Sequence, residues 1–173
     1  MRKATISKLD KLVGLNLRCA GRASNLFWLG FGEKILVTRR GKTEEVAEYA
    51  LHIQCSWRIA KGNKIVVASR DFYSPRTGLE DENEDFEWDV QGNNRFDERR
   101  IESFIEGINE HTIVERVDSD EVGGLKIFLS QGYLVEVFPD TSEDDEYSEF
   151  WRLFNRKEAS PHFVVTGNGI KNE

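Results

Sequence analysis

The sequence predicts an α+β fold built from two similar halves that share one core. Three observations point there. Short runs of alternating apolar and polar residues recur along the chain, as expected of antiparallel strands with one face buried. A stretch with helical apolar spacing precedes each series of strands. A Trp-Arg-aliphatic triplet appears once in each series, at Trp57 and Trp151.

In chain order, Ile6, Leu9, Leu12 and Val13 are spaced as one helical face that ends at Gly14. "LNLRCAG" and "NLFWLGFG" read as strands around a turn, and "KILVTR" extends the meander. "EVAEYALHIQCSWRIA" contains one long strand, and Lys61-Gly62-Asn63 is a hairpin turn into "KIVVAS". From residue 97 the order repeats. Asp97 is placed to cap a helix carrying Ile101, Phe104, Ile105 and Ile108 on one face. "TIVERVDSD", "GGLKIFLS", "YLVEVFP", "EFWRLFN" and "HFVVTG" then read as strands, with a turn at Gln131-Gly132, and the glycine-rich "GNGIKNE" reads as a fraying end. Setting Leu26 against Leu125 aligns the halves and leaves the length difference in the loop before the Trp-Arg strand, which suggests an internal duplication. The expected organisation is 1–69 as the first helix-plus-meander half, 70–96 as an acidic, aromatic connector, and 97–173 as the second half, forming one compact domain.

Of the 173 residues, 39% are hydrophobic and 32% charged, enough for a core under an unusually ionic surface. The net charge of −7 is unevenly spread. Residues 1–42 carry ten Lys/Arg against Asp10 and Glu33, while "LEDENEDFEWD" (79–89) holds seven acids and "DTSEDDEYSE" (140–149) six, both without a base. Such a surface repels phosphate backbones, so nucleic acid is not the expected partner. No apolar window approaches the roughly 20 residues of a membrane span, and Met1 to Gly14 has no continuous apolar run. Two cysteines, Cys19 and Cys55, fit a reducing compartment, so the cytoplasm is expected.

The stretch "LHIQCSWRI" looks catalytic but reads better as a strand. Leu51, Ile53, Cys55 and Trp57 fall on one face, and His52, Gln54, Ser56 and Arg58 on the other. Cys55 is then a small buried hydrophobe. His52, Gln54 and Arg58 form a candidate polar surface for a small ligand or an enzyme site, with Arg152 from the second half. The three histidines are too scattered for a zinc site, and neither "DSDE" nor "DTSEDDE" has the spacing of a calcium loop. No cofactor or metal is expected, and no nucleophile elbow or phosphate loop is present. The connector combines acids with Phe72, Tyr73, Phe86, Trp88 and Phe96. Its candidate binding residues are Glu80, Asp81, Glu82, Asp85, Trp88 and Asp89, suited to a basic protein partner.

"ALHIQCSWRI", "SRDFYSP", "DVQGNNRFDER", "GGLKIFLSQGYLVEVFPD" and "FWRLF" together resemble a set of small, uncharacterised bacterial cytoplasmic proteins, over roughly residues 14–167. The resemblance implies a bacterial protein and assigns no catalytic residue. Size and acidity are also similar to those of immunity proteins of bacterial toxin systems. The expected function is non-enzymatic binding of a basic protein through acidic loops.

Overall fold

The computed structural model describes residues 1–79, 86–99, 104–108, 111–145, 147–158 and 160–173. Two antiparallel sheets dominate it, with few helices, so the chain is predominantly β. Helix α1 (Arg2–Leu9) runs into a single 3-10 turn, Asp10–Leu12, and buries Leu9 and Leu12 while Val13 faces solvent. Strands β1 (Leu17–Ala23), β2 (Leu26–Arg39) and β3 (Lys42–Ile53) follow as a meander, then β4 (Ser56–Lys61) and β5 (Lys64–Ala68). A 3-10 segment, Ser69–Tyr73, leads to the connector and to α2 (Arg95–Arg99). The remaining strands are β6 (Val114–Ser119), β7 (Leu125–Leu129), β8 (Tyr133–Phe138), β9 (Glu149–Asn155), β10 (Phe163–Thr166) and β11 (Gly169–Asn172). Among the described residues no helix is long and apolar enough to cross a membrane.

The strands do not sort by half. One sheet has the order β1-β2-β3-β9-β10-β11 and the other β5-β4-β8-β7-β6, so each takes strands from both ends of the chain. The sequence reading of one long strand through residues 50–59 needs correcting. The chain leaves the first sheet after Ile53 and enters the second at Ser56, with Gln54 and Cys55 as the link. Leu51 and Ile53 pack into the core from one sheet, and Trp57 and Ile59 from the other.

The two sheets are nevertheless built alike. With β1 set against β6, β2 against β7, β3 against β8, β4 against β9 and β5 against β10, the order β1-β2-β3-β9-β10 becomes β6-β7-β8-β4-β5. The correspondence extends to single hydrogen bonds. The Leu17 N–H donates to the Thr112 carbonyl (2.8 Å) and the Val114 N–H to the Leu15 carbonyl (2.9 Å). The Gly32 N–H donates to Asn16 and the Ser130 N–H to Ile113, both at 2.9 Å. A bulge follows Leu17 in β1 and Val114 in β6, each opposite the last core residue of the neighbouring strand, Phe31 and Leu129. Trp57 and Trp151 are both buried, and each is followed by an arginine on the outer face.

Register sets Phe27, not Leu26, against Leu125, because Phe27 pairs with Ile53 while Leu125 pairs with Val137. The length difference also has two sources. The β2–β3 hairpin runs well beyond Phe31 and Tyr49 to a tip at Arg40-Gly41, where β7 and β8 turn tightly at Gln131-Gly132. In the opposite sense, the two-residue link after β3 corresponds to the long loop between Phe138 and Glu149.

Two further expectations are corrected. Asp97 does not cap the second helix. Asn94 does, its Oδ1 accepting from the Asp97 N–H at 3.0 Å, and α2 begins at Arg95. The C-terminal "GNGIKNE" is not frayed, since β11 pairs with β10 from Thr166↔Gly169 to Phe163↔Asn172.

The core is aromatic on one flank. Phe27 stacks on Trp57 with ring centroids 3.8 Å apart, Phe96 meets both rings edge-on, and Phe72 meets Trp57 edge-on and Phe96 at 4.7 Å. On the other flank Trp151 donates its indole N–H to the Gly123 carbonyl at 2.8 Å, which ties β9 to the β6–β7 turn across the core.

Candidate binding site

His52, Gln54 and Arg58 do not share a surface. The sheet switch at Gln54-Cys55 keeps their apolar neighbours inside but turns the polar side chains to opposite outer faces. His52 lies on β3 opposite Arg152 of β9, as anticipated for that arginine. Its ring meets Phe154 edge-on at 5.0 Å, Phe154 stacks on His162 at 4.2 Å, and Arg152 Nη1 lies 3.3 Å from His162 Nδ1. Arg152 is held by Glu149 through its Nε (2.7 Å) and Nη2. Gln54 is exposed in the link, its backbone N–H bonded to the Phe150 carbonyl. Arg58 sits in the other sheet, paired with Glu136 at 2.6 Å and lying over Phe138.

Burial, then the cations Arg156 and Arg152, push His52 down to about 4. An unfolded imidazole takes its proton near 6.5. Between those values the unfolded chain binds more protons than the folded one, so stability falls as pH is lowered through that window. Urea melts at pH 7 and pH 5 should show a larger acid loss for the native chain than for His52→Gln. Equal losses in the two proteins would show that His52 does not carry this dependence. Cys55 packs against the core, and burial, reinforced by Asp140, pushes its thiol up to about 12, so it is no nucleophile at neutral pH.

The described parts of the connector are anchored to the core through Phe72 and Phe96 and leave Tyr73, Asp89 and Val90 exposed. Trp88 is half-buried, 5.0 Å from the Tyr73 ring, with its carbonyl accepting from Asn94 Nδ2 at 2.8 Å. Asp89 is exposed, and its backbone carbonyl accepts from Arg22. Glu80, Asp81, Glu82 and Asp85 lie outside the described residues.

Two adjoining grooves lie elsewhere. A groove of about 470 Å³ opens between the β6–β7 turn and the end of β8, lined by Leu125, Val137 and the exposed Phe138, by Asp118, Asp120 and Glu121, and by two cations, Lys126 and the Arg2 that pairs with Asp118. A second groove of about 370 Å³ shares Glu121 and continues past Val122, Pro139 and Phe150 to Glu143. Val122 (67% exposed) and Tyr147 (85%) stand in solvent within these acidic segments. Hydrogen bonds from Arg2 and from the Ser119 N–H hold the Asp118 carboxyl below its usual range. Backbone N–H donation from Tyr147, followed by the Ser148 hydroxyl and N–H, does the same for Asp145. Asp118 and Asp145 are therefore ionised at neutral pH.

Asp120 shapes the rim, its Oδ1 accepting from the N–H groups of Val122 (2.9 Å) and Gly124 (2.7 Å). The loop after β8 docks against the β10–β11 turn, where a Cβ at Gly167 would strike the Glu143 carbonyl. The sequence reading expected acidic loops to meet a basic partner but placed the candidate residues in the connector, and weighed "DSDE" and "DTSEDDE" as cation sites. The informative signal was the exposed apolar residues set among them. Among the described residues no three His, Cys, Asp or Glu side chains converge so as to hold a metal ion.

No protein family, curated protein or solved structure matches this chain.

Proposed function

We propose that this chain is a non-enzymatic, cytoplasmic protein of bacteria that binds a basic protein partner through the acid-edged groove at the β6–β7 turn. The observation that carries the reading is the pair of grooves that share Glu121, where Phe138, Val122 and Pro139 lie among Asp118, Asp120, Glu121 and Glu143. Exposed aromatics and aliphatics supply contact area, and carboxylates around them select a cationic partner and speed its approach. An immunity-like role, masking the basic active site of a toxin, is the most concrete version, and it is supported by the chain's size and acidity. The resemblance to small bacterial proteins supports the compartment.

The test compares the native chain with Glu121→Lys/Val122→Ser/Glu143→Lys as immobilised baits at low and high salt. All three positions are exposed, so the melting temperature should hardly move. A single basic partner should be retained by the native chain, released as salt rises, and lost by the variant, chiefly through slower association. Equal retention of that partner by both baits at low salt would remove the groove as the site.

We also infer that the chain is an internal duplication, each half opening with a helix ahead of its meander, in the sense of an α+β unit. The matched sheet orders, the paired bulges and the reciprocal hydrogen bonds around Asn16 and Ile113 support this reading.

A further inference from the structure

We propose that the β2–β3 hairpin docks its cationic tip into the acidic groove of a second copy of this chain, so that copies join head to tail. The hairpin outruns its flanking strands, since β1 pairs no further than Phe31 of β2 and β9 no further than Tyr49 of β3. Beyond them β2 and β3 pair with each other from Lys34↔Ala47 to Arg39↔Lys42. Arg40 and Gly41 close this arm with φ of 50° and 78°, the two left-handed residues of a tight hairpin turn.

Charge at the tip is unbalanced. From Thr38 to Thr43 it carries Arg39, Arg40 and Lys42 and no acid. Among the described residues none of these three cations has an ion pair or a side-chain hydrogen bond. Lys34, nearer the foot, is taken by Glu45 at 2.9 Å, and Glu44 lies behind the tip opposite Val37. Arg39 and Lys42 face each other directly, a like-charge pairing that disfavours the ribbon itself. Leu36 stands 74% exposed on the same arm. An acidic surface with apolar residues would relieve the first and cover the second.

The groove is the one assigned above to a basic partner, and the inference rests on that reading. Its second part, of about 370 Å³, sets Glu121 and Glu143 beside Val122, Pro139 and Phe150, with no Lys or Arg among the described residues that line it. Tip and groove cannot meet within one chain. The tip lies at the Lys42 end of β3, whereas Ile53 at the other end pairs with Trp151, next to Phe150 of the groove. The 12 residues of β3, roughly 35 Å of strand, separate them. Contact between opposite ends of successive copies closes into a ring or grows as a series.

Each copy carries −7, so two copies repel at long range, as a copy and a nucleic acid would. At physiological ionic strength that repulsion fades within about 8 Å, and the charges at the contact itself decide. Either partner offers anions to the tip. The second copy also offers Val122, Pro139 and Phe150 to Leu36, apolar contact that a phosphate backbone lacks.

The test is sedimentation of the full chain from micromolar to millimolar concentration at physiological salt. The native chain should gain mass as concentration rises. Two charge-neutralised variants accompany it, Arg39→Gln/Arg40→Asn/Lys42→Gln on the arm and Glu121→Gln/Val122→Ser/Glu143→Gln in the groove. Each should associate at least about tenfold more weakly than the native chain. Mixed together they should form a 1:1 heterodimer and nothing larger, because one intact arm and one intact groove remain. All six positions are exposed, so both variants should melt like the native chain. Association that persists while the immobilised chain captures no other basic protein would leave the second copy as the occupant of the groove. A native chain that stays monomeric throughout overturns the inference and leaves the groove reading to the bait experiment. Native-like association of either variant, or no heterodimer on mixing, overturns it as well. A duplex DNA that displaces the second copy and does not bind the arm variant would overturn it by assigning the tip to nucleic acid.

Discussion

Replacing Asp97 with alanine is expected to remove about 3–5 kcal/mol of folding stability, a large share of what a domain of this size holds. Asp97 and Arg22 form an ion pair whose side chains are 7% and 1% exposed. Arg22 makes five hydrogen bonds: to both Asp97 carboxylate oxygens (3.2 and 3.0 Å) and to the carbonyls of Ser24, Asp89 and Val90. Asp97 also accepts from the Gly92 N–H at 2.7 Å. Removing the carboxylate leaves a guanidinium buried without its counter-charge, which costs far more than a surface pair would. Removing both charges is a different case. Arg22→Met/Asp97→Leu should be less damaging than either single change, because no charge is left buried alone. Chemical denaturation of the two single variants and the double variant measures this coupling. A loss below about 1 kcal/mol for Asp97→Ala would mean that water reaches the pair.

The same residues show what could be read from the sequence. Alternation placed most of the strands, because a half-buried antiparallel strand writes its own period. Trp57 and Trp151 were legible as core for the same reason. Asp97 was not. An acid ahead of an apolar helical run looks like a cap, and the arginine that buries it lies 75 positions earlier, on β1. Strand partners were also beyond local reading, since the sheet switch at Gln54-Cys55 leaves the alternation of buried residues intact while moving Arg58 to the opposite outer face. For that reason His52 and Arg58 looked like one surface. The acidic groove was half legible: its charges are plain in "DSDE" and "DTSEDDE", but that the two segments meet depends on β6, β7 and β8 lying side by side.

Cutting the chain in the connector should abolish folding of each part and restore it on mixing. In one sheet, β3 from the first part pairs with β9 from the second, Tyr49–Ile53 against Asn155–Trp151. In the other, β4 from the first part pairs with β8 from the second, Ser56–Lys61 against Phe138–Tyr133. A fragment of residues 1–79 would keep its β1–β3 meander, but β4 and β5 would be a lone hairpin with no sheet to join, and such hairpins are marginal in water. Residues 86–173 have the mirrored difficulty, with β9 to β11 deprived of β3. Each fragment would also expose half of a core in which Phe27 and Trp57 pack on Phe96, and where Arg22 needs Asp97. Neither should melt cooperatively alone. An equimolar mixture should form a 1:1 complex with a cooperative melt, at a lower and concentration-dependent temperature because association is now bimolecular. A cooperative melt from either fragment as a monomer would contradict the strand exchange, since that half would then contain a complete core of its own.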